Sequence, residues 1–191
     1  NALLKELYVR ITDVIREQGD DHIIYIEGNW FANDFTGLAP PWDDNMVYSP
    51  HKYWSPVDDE YLDWLVQDTL TTPIFVGETG ENSNLWYRDA IKLYEDNGIS
   101  WAWWPFKRID AIQPPLSINY NEKYKKIVDY WNTGYDKPSK EDAIEGLNQL
   151  TEDIKFENCF YHKDIIDAMF RQPFSDKSVP YAENIIPGVI Y

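Results

Sequence analysis

Cysteine is all but missing from this sequence. Cys159 stands alone, which excludes an internal disulfide and leaves no thiolate cluster for a metal. Its simplest role is that of a small buried hydrophobe. Basic side chains are also in short supply, with 17 Lys and Arg against 33 Asp and Glu and a formal charge of −16. That balance argues against nucleic acid or an anionic membrane surface as a partner and leaves neutral ligands open. The three histidines, His22, His51 and His162, are too scattered to make a metal-ligand cluster, so neither a metal nor a cofactor is expected, and an amidohydrolase lacks its ligands. No apolar run is long enough to span a bilayer, and no basic-then-apolar signal segment opens the chain. Both common Gly-rich phosphate loops are absent, which removes the usual signature of a nucleotide fold.

Aromatic residues, by contrast, are abundant: 9 Trp, 14 Tyr and 8 Phe in 191 residues. Every Trp falls between Trp30 and Trp131. A Trp-rich acidic protein suits sugar binding, where flat rings stack on the apolar faces of pyranosides. The length is enough to bury a full core and suggests one domain with an appendage.

Strand and helix signals alternate along the chain. Apolar residues at 4, 7, 11, 14 and 15, closed by Gly19, predict an amphipathic helix. His22 to Ile26 reads as a strand ending at Glu27-Gly28-Asn29-Trp30. A long segment from Phe31 to Asn45 follows, and loops of that length are commonly functional. Its Asp43-Asp44 pair reads as a solvated one. Met46 to Ser49 is a second strand, running into Pro50-His51-Lys52-Tyr53-Trp54. Ser55-Pro56 has the pattern of an N-cap with proline at N1, ahead of a helix through Leu62, Trp64, Leu65 and Val66 toward Leu70. A third strand ends in Glu78, and Asn82-Ser83-Asn84 caps a helix from Leu85 to Asn97. The fourth strand is Ile99 to Trp104. A helix from Asn121 to Trp131 carries Tyr124, Ile127, Val128 and Trp131 on one face. The remainder is expected to form helices from Pro138 toward Ile154 and from His162 to Phe170, with His162 at the surface or capping its helix. This order argues for a parallel α/β sheet covered by helices, whose chemistry gathers at the carboxyl ends of the strands.

The stretch Pro73-Ile74-Phe75-Val76-Gly77-Glu78-Thr79-Gly80 carries the sharpest chemical signal. Strict alternation puts Ile74, Val76 and Glu78 on one face. A carboxylate in line with two core residues must find partners or sit where the core opens to a ligand. Alternation also puts His51 and Tyr53 on a common side if the second strand stays extended through Pro50. On the fourth strand it sends Ile99, Trp101 and Trp103 toward the helices and Ser100, Ala102 and Trp104 inward. Glu27 reads as a structural strand-end carboxylate, or alternatively as a second carboxyl partner for Glu78.

Ser49-Pro50-His51-Lys52-Tyr53-Trp54, Val76-Gly77-Glu78-Thr79-Gly80 and Ser100-Trp101-Ala102-Trp103-Trp104 together resemble glycoside hydrolase family 5, retaining β-glycanases built on a (β/α)8 TIM barrel. The resemblance covers roughly residues 1–131, the second half of such a barrel with about its last four strands. It implies Glu78 as nucleophile, His51 and Tyr53 as the His-x-Tyr pair beside it, and Trp104 as a sugar platform, with Trp30, Asn29 and Trp54 as neighbouring subsites. It also implies a cellulase-like endo-action on β-1,4-glucan, or on mannan or xyloglucan, in an extracellular setting. A binding barrel that has lost catalysis is the rival reading. The family's acid/base glutamate, in an Asn-Glu pair, has no match here: Asn121-Glu122 begins a late helix. That residue is expected upstream, in an N-terminal half of the same barrel, with Asn1-Ala2-Leu3-Leu4 entering mid-element. Residues 132–171 are then a helical extension packed on the barrel. Residues 172–191 are a linker toward a further module, such as a carbohydrate-binding domain.

Overall fold

A computed structural model describes residues 1–60, 63, 72–170 and 173. The helix expected through Leu62, Trp64, Leu65 and Val66 lies outside them, as does the linker expected from Gln172 onward, Pro173 apart. Helix α1 (Ala2–Glu17) leads into strand β1 (Ile24–Ile26), which pairs in parallel with β2 (Met46–Tyr48). Proline at position 50 has no N–H to give a ladder, and the second expected strand is divided there into β2 and β3 (His51–Lys52). Strand β3 pairs in parallel with β4 (Phe75–Gly80), and β4 with β5 (Ser100–Trp104). A parallel bridge between Tyr48 and Ile74, with the Tyr48 amide on the Pro73 carbonyl at 3.2 Å, joins the two sheets edge to edge. With β2 and β3 counted as one interrupted strand, four strands thus lie side by side in chain order, all parallel.

Helix α2 (Asn84–Asp96) connects β4 to β5, and Ser83 caps it by accepting the Trp86 amide. Its buried face, Ala90 and Tyr94, packs on Val76 and Ile99, with Ile74 and Trp101 against them. The expected orientation of β5 is seen here: Ile99, Trp101 and Trp103 all pack toward helices. Beyond β5 lie two short strands that the sequence pattern did not suggest, β6 (Lys107–Ile109) and β7 (Leu116–Ile118). They pair in parallel, and β8 (Phe160–Tyr161) adds antiparallel to β7.

The helical tail comprises α3 (Glu122–Thr133), α4 (Lys140–Asp153) and α5 (Lys163–Phe170). A Cβ at Gly146 would meet the Tyr124 amide nitrogen at 2.7 Å, so the close approach of α4 to the start of α3 needs a glycine there. Ile127 is buried, but Trp131, expected on the same face, is 66% exposed. Helix α5 shares a core with α2: Ile165, Ala168 and Met169 close on Tyr87 and Ile91. Of the two expectations for His162, the surface one fails, while its carbonyl does accept the Ile166 amide at 3.3 Å at the start of α5. The residue is buried, with Nε2 2.8 Å from the Ser117 hydroxyl, and burial pushes its imidazole below the ordinary histidine range. Cys159 is half-buried rather than enclosed, its thiol 3.2 Å from the Lys155 carbonyl.

Helix α1 is amphipathic as expected, but a different stripe is buried. Leu4 and Tyr8 pack on Ile26, Met46 and Tyr48, and Thr12 beneath them accepts the Trp42 indole N–H at 3.0 Å. Leu3, Leu7, Ile11 and Val14 form an adjacent stripe that is exposed. The long loop after β1 supplies part of this core through Phe35 and Leu38. Asp43 is not a solvated residue either, since Arg16 grips both its oxygens at 2.8 and 2.9 Å and holds its carboxyl below the usual range. Among the described residues no helix is long and apolar enough to cross a membrane.

Candidate active site

Where β1, β3 and β4 end, an open groove of about 1120 Å³ is lined by Glu27, Phe31, His51, Tyr53, Trp54 and Glu78, among others. How Glu78 comes to face it is a question of strand phase. Val76 lies opposite Trp101, and Thr79 opposite Trp103, so β4 spends three steps where β5 spends two. One surplus residue makes a bulge, and bulges re-aim side chains. Val76 and Thr79 both face α2, Thr79 with its hydroxyl 3.2 Å from the Tyr94 phenol. Uninterrupted alternation would have put those two on opposite faces. The expectation that Glu78 shares a face with Ile74 and Val76 is therefore corrected: the bulge releases Glu78 from the packed layer and turns it to the groove.

Register sets His51 directly beside Glu78 across β3 and β4. Tyr53 donates its hydroxyl to Oε2 of Glu78 at 2.5 Å, and His51 Nδ1 lies 3.3 Å from the same oxygen. Among the described residues no hydrogen bond reaches Oε1. Burial, and then the Glu78 carboxylate, push the Tyr53 phenol far above its ordinary range, so it remains a donor at any working pH. The Asn82 side-chain amide donates to the Tyr53 carbonyl at 3.0 Å and fixes the backbone that carries the phenol. Gly77 lies under the imidazole, where an added Cβ would stand 3.4 Å from His51 Nε2 and 2.2 Å from the Ser49 hydroxyl. The other nitrogen relation of His51 runs outward, from Nε2 to Oε1 of Glu27 at 3.2 Å. Lys52, next along β3, is buried beside the groove, and that burial pushes its ammonium down to about 8, with Asp58 acting the other way.

The remaining sequence-derived candidates divide. Trp54 lines the groove and is 78% exposed. Asn29 and Trp30 do not line it. The Asn29 amide donates to Asn1 Oδ1 at 3.0 Å, its own oxygen accepts the Trp30 amide, and the Trp30 ring tilts against Phe31. Three successive residues, Trp30, Phe31 and Ala32, adopt left-handed backbone with φ of 56°, 58° and 62°. That conformation costs of order 1 kcal/mol or more per residue. Reciprocal Asn29–Asp34 backbone bonds of 2.8 and 2.9 Å clamp the turn, and it presents Phe31 to the groove. Trp104, half exposed, stands at the end of β5 opposite Gly80, two residues past Glu78, and is not part of the groove lining. Phe31 and Asn82 were missed by sequence reasoning; a strand-end Glu27 was visible, but its contact with His51 was not. Three exposed ligand-type side chains, Asp20, Asp21 and His22, lie close enough to one another to hold an ion, and Asp20 is already hydrogen-bonded to the His22 ring at 2.6 Å.

An α/β arrangement of sequential parallel strands, with an ionisable carboxyl held by a phenol and an imidazole at their carboxyl ends, defines a class of site suited to nucleophilic or acid–base chemistry. The family described as Cellulase (glycosyl hydrolase family 5) matches residues 1–108, more than half of the chain. The chain belongs to that family of glycoside hydrolases. A solved structure named endoglucanase aligns at 24% identity with a TM-score of 0.42, over 54% of this chain and 46% of that one. The present chain thus spans about half the length of that protein. No curated protein matches it.

Proposed function

We propose that Glu78 is the nucleophile of a retaining endo-β-glycanase acting on β-1,4-glucan, in a (β/α)8 barrel of which residues 1–131 form the second half. One observation carries the reading. Tyr53 and His51 both engage Oε2 of Glu78, which leaves Oε1 with no hydrogen-bond partner among the described residues and open to attack an anomeric carbon. A hydrogen bond to the ionised form keeps a carboxyl charged, as a nucleophile must be. In the retaining mechanism Oε1 bonds to C1 as the aglycone oxygen leaves with a proton from the second carboxyl. Water, deprotonated by that same group, then releases the sugar with net retention. The two carboxyl groups of such an enzyme stand roughly 5–5.5 Å apart. The acid/base glutamate is assigned to the first half of the barrel, which is also the partner of the exposed Leu3, Leu7, Ile11 and Val14 stripe on α1.

The exposed Trp54 and Phe31 rings on the groove, with Trp104 at the neighbouring strand end, serve as platforms for the glucan chain. A polymer substrate of this kind places the enzyme outside the cell. Mannan and xyloglucan are the alternative substrates, and a non-catalytic polysaccharide-binding barrel is the rival function. In the full-length protein, Glu78→Gln should abolish hydrolysis of soluble β-1,4-glucan while leaving affinity for it largely intact. Undiminished turnover by that variant would overturn the assignment, and a wild-type protein that binds glucan without cleaving it would favour the binder.

A further inference from the structure

Glu27 follows Ile26 directly at the end of β1, and the Ser49 amide on the Ile26 carbonyl at 2.8 Å fixes the backbone from which it projects. Its carboxylate is 55% exposed, yet it reaches inward to His51 Nε2 at 3.2 Å. The His51 ring is 14% exposed, rests on Gly77, and presents Nδ1 to Glu78. Imidazole has two nitrogens, and a neutral ring carries a proton on one of them. Here each nitrogen faces a carboxylate oxygen, which accepts and does not donate when ionised. With one proton, whichever nitrogen lacks it turns a lone pair toward an anion. Of the two contacts only the one to Glu27 has hydrogen-bond geometry, so it is Nε2 that carries the N–H.

We infer that Glu27 is a positioning residue of the site: it anchors the outer nitrogen of His51 as a donor, so that the ring is held with its Nδ1 edge 3.3 Å from Oε2 of Glu78. The consequence for turnover rests on reading Glu78 as the nucleophile, whereas the Glu27–His51 link stands on geometry alone. The charged and titratable groups around the ring are Glu27 from β1, Lys52 and Tyr53 from its own strand and its end, Glu78 from β4, and Asp58 and Glu60 from the groove rim. The link differs from a general acid role for Glu27. A proton donor must reach the departing oxygen, whereas this carboxylate is directed at the imidazole.

Two measurements test the inference, and the first does not depend on activity. With three histidines in the chain, the imidazole ¹⁵N signals of His51 can be assigned by their loss in His51→Gln. The wild-type ring should show a proton on Nε2, the nitrogen that faces Glu27. Glu27→Gln should shift the proton population away from Nε2, and Glu27→Asp should restore the wild-type pattern in part. A His51 ring unchanged by Glu27→Gln overturns the inference. In the full-length protein, Glu27→Gln should lower kcat by roughly tenfold to a hundredfold, the cost of misplacing a reacting group, with KM little changed. A loss that vanishes with an activated aryl leaving group would assign proton donation to Glu27 and overturn the positioning role. If the wild-type protein hydrolyses no glycan, the hydrolase reading fails, and the ¹⁵N comparison still decides the Glu27–His51 link.

Discussion

The phenol of Tyr53 donates a hydrogen bond to Oε2 of Glu78 across 2.5 Å, from a residue whose carbonyl is itself held by Asn82. A hydrogen bond to a charged group is worth about 1.5–3 kcal/mol. Tyr53→Phe removes that bond and keeps the ring. It should lower kcat/KM roughly tenfold to a hundredfold in the full-length protein, with the thermal midpoint nearly unchanged, as steady-state kinetics and calorimetry would read. A variant with wild-type kinetics would show that the phenol does not steer the carboxylate.

Gly77 gives a second prediction, because its absent side chain makes room for two others. A methyl group there would sit 2.2 Å from the Ser49 hydroxyl but 3.4 Å from the His51 ring, so the serine is the harder obstacle. Gly77→Ala should destabilise the protein by about 1–3 kcal/mol, the usual cost of overpacking. Adding Ser49→Ala should recover most of that loss in a double-mutant cycle read by chemical denaturation. Strictly additive effects would show that the crowding lies elsewhere.

For substrate contact, geometry separates two neighbouring rings. Phe31 lines the groove and Trp30 does not, although both are exposed on the same left-handed turn. Phe31→Ala should raise KM for long β-1,4-glucans by roughly twofold to tenfold, if its ring contributes what aromatic contacts commonly do, about 0.5–1.5 kcal/mol. Trp30→Ala should change it less. The reverse order in initial-rate measurements would shift the subsite to the indole.

His162 supplies a pH dependence of stability. Burial lowers its imidazole below the ordinary value of 6.5, so the unfolded chain takes up a proton that the folded one resists. Its contribution is therefore whole above 6.5 and is lost progressively as the pH falls below that toward the folded value. Denaturation midpoints should drop over that window, and His162→Gln should flatten the drop while lowering stability at neutral pH through the Ser117 contact. An equal slope in both proteins would assign the acid sensitivity to carboxylates instead.

The layout of alternating elements was legible because apolar period and cap residues are local properties. Ser83, Gly19 and the Val76–Ile99 pattern announce α2, α1 and β4–β5 without reference to the rest of the chain. What escaped depends on partners distant in sequence. On α1 the apolar residues form two stripes, and which one is buried was decided by Trp42 and the Phe35–Leu38 loop rather than by the helix. Strands β6 and β7 are three residues each, one opening on Lys107-Arg108 and the other following Pro114-Pro115, so neither carries a readable alternation. The trio of His51, Tyr53 and Glu78 was legible from two short segments. The reach of Glu27 across 24 residues to His51 was not, since spacing alone says nothing about which strand ends meet.

The surplus residue between Val76 and Thr79 carries a further consequence for the lineage of this chain. A one-codon deletion there would leave the composition of β4 almost untouched and return the strand to even pleating. If Gly77 were the residue lost, the register with Trp101 and Trp103 would be regained with Glu78 still on the side away from α2, but the bare spot on which the His51 ring rests would be gone. In this chain, the seat of the imidazole depends on a residue that the pairing of β4 with β5 could do without.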